Sequence, residues 1–220
     1  MAQIFTPAFD TYTRLFLAAI VLFFVLLLLL GPVAALSGYQ SRVGWTVEQP
    51  VPFSHEHHVG GLGIDCRFCH ATVERSAHAG FPSTHVCMTC HSQIWTGAPM
   101  LAPIRRSLAE GTPLTWNRVS KLPDYVYFNH AIHIDRGVAC VRCHGRVDRM
   151  PLLARAHPFE MRFCLECHRD PAPKLGPVDQ VTRMPPLGWD EGTHRRFALA
   201  VAKRYHLDPT RLDKCDICHR

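Results

Sequence analysis

The sequence has no long run of basic residues, and this absence limits what its positive charge means. It carries 24 Lys and Arg against 18 Asp and Glu, which gives a formal net charge of +6 over 220 residues. The basic side chains are spread along the chain, and this distribution is typical of a solvated surface rather than a nucleic-acid interface. We therefore predict no nucleic-acid partner.

The sequence also has no cysteine outside one repeated pattern. All ten cysteines form Cys-x-x-Cys pairs, and His directly follows each pair. The five units, numbered here as motifs 1 to 5, are Cys66-Arg-Phe-Cys69-His70, Cys87-Met-Thr-Cys90-His91, Cys140-Val-Arg-Cys143-His144, Cys164-Leu-Glu-Cys167-His168 and Cys215-Asp-Ile-Cys218-His219. Two thiols at this spacing can each form a thioether with one haem vinyl group, and the following His then binds the iron. The pattern predicts five covalently bound c-type haems, with the five motif histidines as proximal ligands.

Other uses of paired cysteines fit this sequence less well. Disulfide scaffolds are usually short and do not repeat one fixed spacing. Zinc ribbons need no His after each pair, and five pairs would leave one pair without a mate. A thioredoxin-like redox site requires a single pair between a strand and a helix. With 15 His in 220 residues, His after all five pairs is roughly a one-in-a-million coincidence.

A second pattern, Phe-x-His-x-x-His, occurs twice and indicates distal ligands. It contains His55 and His58 in the first copy and His130 and His133 in the second. Histidines three positions apart on one turn can reach two different haems. We predict that these four residues are distal iron ligands. The plainer interpretation, a polar surface residue, is preferred for His57. The remaining histidines are expected either to lie on the surface or to contact haem propionates: His78, His85, His194 and His206.

The fifth haem lacks a third copy of this pattern, so its distal ligand is left open. Met150 is the favoured residue, with Met161 and His157 as alternatives. A Met ligand would raise the potential of that haem relative to haems with two His ligands. The competing interpretation is that these methionines only fill gaps in the core.

The N-terminal region contains one long apolar run. No charged side chain occurs from Leu15 to Leu36, and this length matches the roughly 20 residues that cross a bilayer. A cleaved secretory signal is the alternative, but the run is long for the apolar part of a signal. We predict a retained single-pass anchor. Arg14 and Arg42 nearly balance across it, so flanking charge does not set its orientation.

We predict three segments: a short tail and anchor helix at 1–36, a linker at 37–52, and a haem domain at 53–220. Within the haem domain, two dihaem modules at about 53–95 and 128–170 form an internal repeat, and the fifth haem is attached at 215–219. The interpretation of the fold class is mainly α with much irregular structure.

The chain after the anchor has about 180 residues for five haems, too few for an ordinary apolar core, so the haems themselves are expected to form the core. Helices are predicted at Ile104 to Glu110 and at Glu191 to Tyr205. Four aromatic rings are expected to pack against the macrocycles: Phe68, Phe81, Phe163 and Trp95.

Four stretches resemble one known family. They are Phe53-Ser-His-Glu-His-His-Val-Gly-Gly-Leu-Gly-Ile-Asp-Cys66, Cys87-Met-Thr-Cys-His-Ser-Gln-Ile-Trp95, Leu122-Pro-Asp-Tyr-Val-Tyr-Phe-Asn-His130 and Cys164-Leu-Glu-Cys-His-Arg-Asp170. Together with the anchor and motif 5, they resemble the pentahaem cytochrome c subunit of bacterial alternative complex III, a quinol-oxidising respiratory assembly. The two His pairs also resemble those of tetrahaem class III cytochromes, which supports the four distal assignments.

The resemblance implies an electron-transfer subunit rather than an enzyme in its own right. Its implied partners are the lipid membrane, an iron–sulfur or molybdopterin-like subunit, polytopic quinone-binding subunits and a mono-haem cytochrome c. Haem is attached to c-type cytochromes outside the cytoplasm, so the haem domain is expected on the periplasmic side of the cell membrane. Two alternatives are a quinol dehydrogenase that feeds a periplasmic nitrite reductase-like enzyme, and a multihaem reductase with an open catalytic haem. No catalytic residues are predicted.

Overall fold

The secondary structure of this chain is helical. The computed structural model describes residues 6–184, 188 and 190–219, and no β-strand occurs among them. Extended segments meet only as isolated bridges there, namely Thr46 with Ala154, Val126 with His219 and Val138 with Leu175. The prediction of a mainly helical fold is confirmed. The chain clusters into two units, Met1–Arg42 and Val43–Arg220, and their boundary lies within the predicted linker.

The first unit is dominated by one apolar helix, α1 (Pro7–Ala35). Thr6 caps it, because its side chain accepts a hydrogen bond from the Phe9 amide, and proline occupies the first turn where no amide partner is needed. The stretch Ala8–Ala35 has a window of mean hydropathy 3.0, none of it buried. These properties are compatible with a single-pass membrane anchor. A single turn, α2 (Gly38–Ser41), follows, and the predicted tail ahead of Thr6 lies outside the described residues.

The second unit consists of short helices joined by irregular chain. The α-helices are α3 (Cys66–Cys69), α4 (Thr84–His91), α5 (Ala102–Glu110), α6 (His130–Asp135), α7 (Cys140–His144), α8 (Met161–Arg169), α9 (Glu191–Arg204) and α10 (Pro209–Leu212). A π-helix spans Glu56–Gly61, and 3-10 turns lie at Pro99–Leu101, Val147–Arg149, Ala172–Lys174, Val178–Gln180 and Cys215–Ile217. Helices α5 and α9 confirm the two helices predicted from the sequence.

The π-helix at Glu56–Gly61 is wider than the ordinary helical turn expected for the first His pair. The Leu62 amide bonds back to the His57 carbonyl at 3.0 Å, five positions earlier, as a π-turn requires. The turn packs against the 3-10 turn Val147–Arg149. Gly60 permits this approach, because a Cβ atom there would overlap the Asp148 carbonyl oxygen.

Buried apolar side chains form two small clusters within the described part of the second unit. Val51, Leu101 and Ile104 form one, and the motif 2 residues Cys87 and Met88 pack against it. A second cluster consists of Val73, Ile134 and Val181, which come from three distant parts of the chain. Such small clusters agree with the expectation that polypeptide alone does not supply a large core to this unit.

Gly137 lies at a turn where both conformation and space demand glycine. Its φ is +80°, and an added Cβ would overlap the Gly176 carbonyl oxygen, whereas Gly44 has φ +79° with nothing within 4 Å of that position. Alanine in the left-handed region costs about 1–2 kcal/mol in either place. We expect Gly137→Ala to lower the free energy of unfolding clearly more than Gly44→Ala, as measured by urea denaturation. Equal losses would contradict the close approach of the two chain segments.

Candidate functional site

The five motifs all lie on short helical turns. Motif 1 starts α3, motif 2 ends α4, motif 3 occupies α7, motif 4 lies within α8, and motif 5 begins with the 3-10 turn Cys215–Ile217. A helical turn brings side chains at positions i and i+3 to one side. Each motif therefore presents its two thiols together, with the histidine directly after them, as attachment of one haem requires.

Asp65 holds motif 1 in place from the position before its first cysteine. Its carboxylate caps α3 by accepting from the Arg67 amide at 2.8 Å, and it also accepts from the Arg67 guanidinium at 2.9 Å and the Thr182 hydroxyl at 2.8 Å. The Arg67 hydrogen bond is the main reason that the pKa of Asp65 falls to about 2. This clamp was missed in the sequence, although an Asp directly before a helical turn is a common capping signal.

The two Phe-x-His-x-x-His segments have the same ring geometry. In the first, the Phe53 ring centre lies 4.8 Å from that of His55, edge to face, and 4.4 Å from that of His58. In the second, the corresponding distances from Phe128 are 4.7 Å to His130 and 4.4 Å to His133. The first segment lies on the π-helix and the second on α6, so the ring arrangement is the same although the backbone differs. In both segments, one phenyl ring separates and orients two imidazoles.

Three of these four imidazoles lie opposite a motif histidine at nearly one distance. The ring centres are 6.2 Å apart for His58 and His91, 6.3 Å for His130 and His144, and 6.2 Å for His133 and His168. A His nitrogen binds a divalent metal at about 2.0–2.1 Å and lies about 1.1 Å from its ring centre, so two imidazoles on opposite sides of one ion are roughly 6.3 Å apart. The spacing fits two axial ligands of one iron.

The hydrogen bonds of these histidines leave Nε2 as the ring nitrogen for a metal. In seven of them, Nδ1 bonds a backbone carbonyl: His58 to Ser54, His70 to Gly80, His91 to Ile94, His130 to Ala77, His133 to Asn129, His168 to Leu212 and His219 to Tyr125. A carbonyl partner at Nδ1 fixes the ring orientation and the tautomer of a ligating histidine. His194 differs, because its Nε2 donates to the Leu175 carbonyl at 2.8 Å.

Two histidines of the group, His55 and His144, have strongly lowered pKa values. Burial, reinforced by neighbouring imidazoles, lowers the pKa of each to about 4. The first of those neighbours is His70 for His55 and His130 for His144. The Nδ1 atom of His55 is buried without a hydrogen-bond partner in the described structure. A buried polar atom without a partner is costly, and His55 thus lacks the carbonyl partner at Nδ1 that orients seven other histidines.

Burial keeps the other candidate distal imidazoles neutral as well. It is the first cause of the lowered pKa of His58, His130 and His133. Iron is bound by a neutral imidazole, so a lowered pKa favours the ligating form at neutral pH. Within the described residues, no three His, Cys, Asp or Glu side chains converge on one point as a tetrahedral zinc site would need. The donors are arranged in opposed pairs, and this donor set fits haem iron.

The structure does not bring motif 5 and the candidates for the fifth distal ligand together as clearly as it does the imidazole pairs of motifs 2, 3 and 4. His219 contacts Tyr125, whose ring centre lies 5.8 Å away and whose carbonyl accepts from Nδ1 at 3.3 Å. Met150 lies beside Gly145, just beyond motif 3, and its carbonyl accepts from the Glu56 amide. Met150 as the fifth distal ligand therefore stays a prediction. The contact from Tyr125 was missed, since nothing in its local sequence marks it as a partner of a motif 94 positions away.

The two alternatives to Met150 lie in the approach to motif 4. His157 stacks on Phe163 with a ring distance of 5.0 Å, and Met161 is largely exposed at the start of α8. His57 stacks on Trp95 at 6.2 Å rather than facing a motif histidine. Phe68, Phe81 and Trp95 are about half exposed or more, and their packing against macrocycles stays a prediction.

Comparison with known proteins gives one informative relative. No protein-family model matches the chain. The multihaem cytochrome c subunit of a menaquinone reductase from Nitratidesulfovibrio vulgaris is 30% identical over 178 residues, which cover 79% of this chain and 77% of that protein. The similarity thus extends over most of both chains and is not confined to the short haem-attachment motifs.

Proposed function

We propose, since this chain belongs to the family of multihaem cytochrome c subunits of quinone oxidoreductases, that it is the membrane-anchored pentahaem subunit of a quinol-oxidising respiratory complex. Its role is electron transfer between the quinone-linked part of that complex and a periplasmic acceptor or terminal oxidase. The observation that carries this proposal is the set of imidazole pairs at 6.2–6.3 Å, each joining a motif histidine to a His of the repeated segments.

The residues of the chain have distinct parts in this role. The ten cysteines form the thioethers, His70, His91, His144, His168 and His219 supply the proximal imidazoles, and His55, His58, His130 and His133 supply the distal ones. Haem, when bound, supplies reversible one-electron chemistry at its iron. The backbone carbonyls at Nδ1 hold the imidazoles in orientation, and two firm axial ligands per iron favour electron transfer over substrate binding. The surplus of basic side chains offsets haem propionates.

The helix α1 is proposed to anchor the subunit with the haem domain on the periplasmic side. At 1.5 Å per residue, the 28 residues of Ala8–Ala35 measure about 42 Å, which exceeds the roughly 30 Å hydrocarbon thickness. Covalent haem attachment outside the cytoplasm supplies the orientation that the balanced flanking arginines do not.

The specific assembly we favour is alternative complex III, because of the four stretches that resemble its pentahaem subunit. The relative is a subunit of a menaquinone reductase, and this supports a second candidate, in which electrons flow in the opposite direction and a periplasmic donor reduces menaquinone. Extraction of the native membrane in mild detergent, followed by mass spectrometry of the proteins that co-purify, distinguishes the two. A large iron–sulfur subunit with polytopic quinone-site subunits and a mono-haem cytochrome supports the first. A co-purifying periplasmic donor enzyme supports the second, and isolation of this chain alone would contradict both.

The number of haems is a separate prediction. We expect a pyridine haemochrome assay on the purified chain to give five haems per polypeptide. The double change Cys215→Ser and Cys218→Ser is expected to reduce this to four, because motif 5 would then have no thiol for a thioether. The single change Lys214→Ala, directly beside the motif, is the control and should leave five. A count of four in the unchanged protein would show that one motif is not used.

A further inference from the structure

We propose that the five motifs stand in a single unbranched row in the order 2–1–3–4–5, so that motifs 2 and 5 are the two ends through which electrons enter and leave. This order differs from the order of the motifs along the chain. The inference rests on the proposed function, since it takes each motif to carry a haem. Each passage moves one electron from a reduced haem to an oxidised neighbour and involves no proton or bond change.

The first link of the row joins motif 2 to motif 1 through the π-helix. His58, which faces His91 of motif 2, is three positions from His55, and the Phe53 ring touches both. The Ile64 amide, two positions before Cys66 of motif 1, donates to the His58 carbonyl at 3.0 Å. The turn that faces motif 2 therefore also holds the start of motif 1, and this places the two motifs side by side.

The second link joins motif 1 to motif 3 through two adjacent residues, Val181 and Thr182. The Cys140 amide of motif 3 donates to the Val181 carbonyl at 2.9 Å, and Cys66 Sγ of motif 1 lies 3.9 Å from the Thr182 carbonyl. The Thr182 hydroxyl in addition donates to Asp65, the cap of motif 1. The leading cysteines of motifs 1 and 3 are thus held on consecutive carbonyls.

The third link joins motif 3 to motif 4 through α6. His130 faces His144 of motif 3, and His133, one turn later, faces His168 of motif 4. The Phe128 ring touches both distal imidazoles, as Phe53 does in the first copy. Motif 3 is accordingly an inner position with motif 1 on one side and motif 4 on the other.

The fourth link joins motif 4 to motif 5. His168 Nδ1 donates to the Leu212 carbonyl at 2.9 Å, and Arg169 forms an ion pair with Asp213 at 3.1 Å. Leu212 ends α10, and Asp213 comes two positions before Cys215. The chain segment that leads into motif 5 is therefore fastened directly to the end of the motif 4 helix.

Exposure identifies the ends independently of these links. Cys90 of motif 2 and Cys215 of motif 5 are exposed, whereas the other eight cysteines are partly buried. The two motifs at the ends of the deduced row are thus the two with an exposed cysteine, where an electron partner can approach.

The order makes a sharp prediction about which haems influence each other. A reduced haem carries one charge less than an oxidised one, and this Coulomb effect on a neighbouring potential falls with distance. The probe is His→Met at a distal position, which raises the potential of that haem while keeping it bound. Beyond the haem that carries the new ligand, we expect His58→Met to shift the apparent midpoint of the motif 1 haem alone, whereas His133→Met shifts those of motifs 3 and 5.

The measurement is a redox titration of the full chain in detergent, followed by EPR. The imidazole planes cross at 64° for His58 and His91 but at 28° for His133 and His168, so the ferric haems concerned give different signals. Each signal is assigned from the variant in which the two cysteines of one motif are replaced by Ser. His57→Met, on the same turn as His58, is the matched control and should shift none.

A shift at motif 4 or 5 in the His58→Met variant, or a single shifted neighbour for His133→Met, would overturn the order. If His133→Met does not accumulate, Cys215→Ser with Cys218→Ser replaces it and is expected to shift the motif 4 haem alone. Failure of the proposed function is recognised separately, because the unchanged protein would then contain fewer than five haems before any titration begins.

Discussion

Replacing His58 by Ala is expected to convert one haem of this cytochrome from a closed low-spin state to an open high-spin state. His58 faces His91 at 6.2 Å, the spacing of two axial ligands on one iron, and its Nδ1 is fixed by the Ser54 carbonyl. Alanine removes the distal imidazole and leaves the covalent attachment at motif 2 intact. EPR should show a new high-spin ferric signal, and the reduced protein should bind one more carbon monoxide per chain than the unchanged protein.

The adjacent residue provides a matched control. His57 lies on the same π-turn, is exposed, and stacks on Trp95 rather than facing a motif histidine. His57→Ala should therefore leave the spin state and the carbon monoxide stoichiometry unchanged. A high-spin signal from His57→Ala with none from His58→Ala would show that the repeated pattern has been aligned one residue off.

A second substitution at the same position separates ligation from general damage to the fold. His58→Met retains a ligand, so the haem should stay low-spin while its potential rises by on the order of 0.1 V, a small part of the roughly 0.8 V that axial ligands can cover. If His58→Met gives the same high-spin signal as His58→Ala, the turn has rearranged and the comparison argues against direct ligation.

The sequence was sufficient for the elements whose signals are local. Helix α9 begins after Asp190, which caps it by accepting from the Thr193 amide, and ends in basic residues, as the sequence indicates. The apolar run from Leu15 predicted the centre of α1 but not its start at Pro7, because the first turns of α1 are polar and only the Thr-Pro capping signal marks them. The capping residues thus determine where a helix begins even where the hydropathy of the sequence gives no indication.

The partners of the distal histidines could not be deduced in the same way. The sequence identifies His55 and His58 as donors but does not say that His58 faces motif 2 rather than motif 1, which is nearer along the chain. That choice depends on the wide π-turn, and the π-turn in turn depends on the contact of Gly60 with Asp148. Long-range packing therefore sets the pairing, while the spacing of the motif sets only the ligand type.

The role of residues 181–182 was also beyond the sequence. Val181 is almost completely buried against Val73 and Ile134, and its carbonyl holds Cys140 while that of Thr182 contacts Cys66. Nothing local distinguishes this Val-Thr pair from other apolar and polar neighbours. Its importance follows from the fold alone, because it fastens together two motifs whose first cysteines, Cys66 and Cys140, are 74 positions apart.

The second large effect concerns the anchor. Replacement of residues 1–36 by a cleavable secretory signal is expected to release the haem domain into the soluble periplasmic fraction with its haems attached. Helix α1 belongs to a unit that ends at Arg42, and the motifs, the His pairs and both buried clusters all lie in Val43–Arg220. The test is fractionation of cells that lack the partner subunits, with haem staining of the membrane and soluble fractions.

A single charge within the helix should have a much smaller effect, and the magnitudes show why. An arginine at the centre of a transmembrane helix costs about 2.5–3.5 kcal/mol, whereas each Leu, Ile, Phe or Val contributes about −0.3 to −0.6 kcal/mol, so the 16 such residues from Leu15 to Leu36 together outweigh it. Leu26→Arg should therefore leave the protein in the membrane after alkaline washing. Release by Leu26→Arg would show that α1 is held only weakly, as a peripheral segment would be. Retention of the haem domain without residues 1–36 would show that its own surface binds the bilayer.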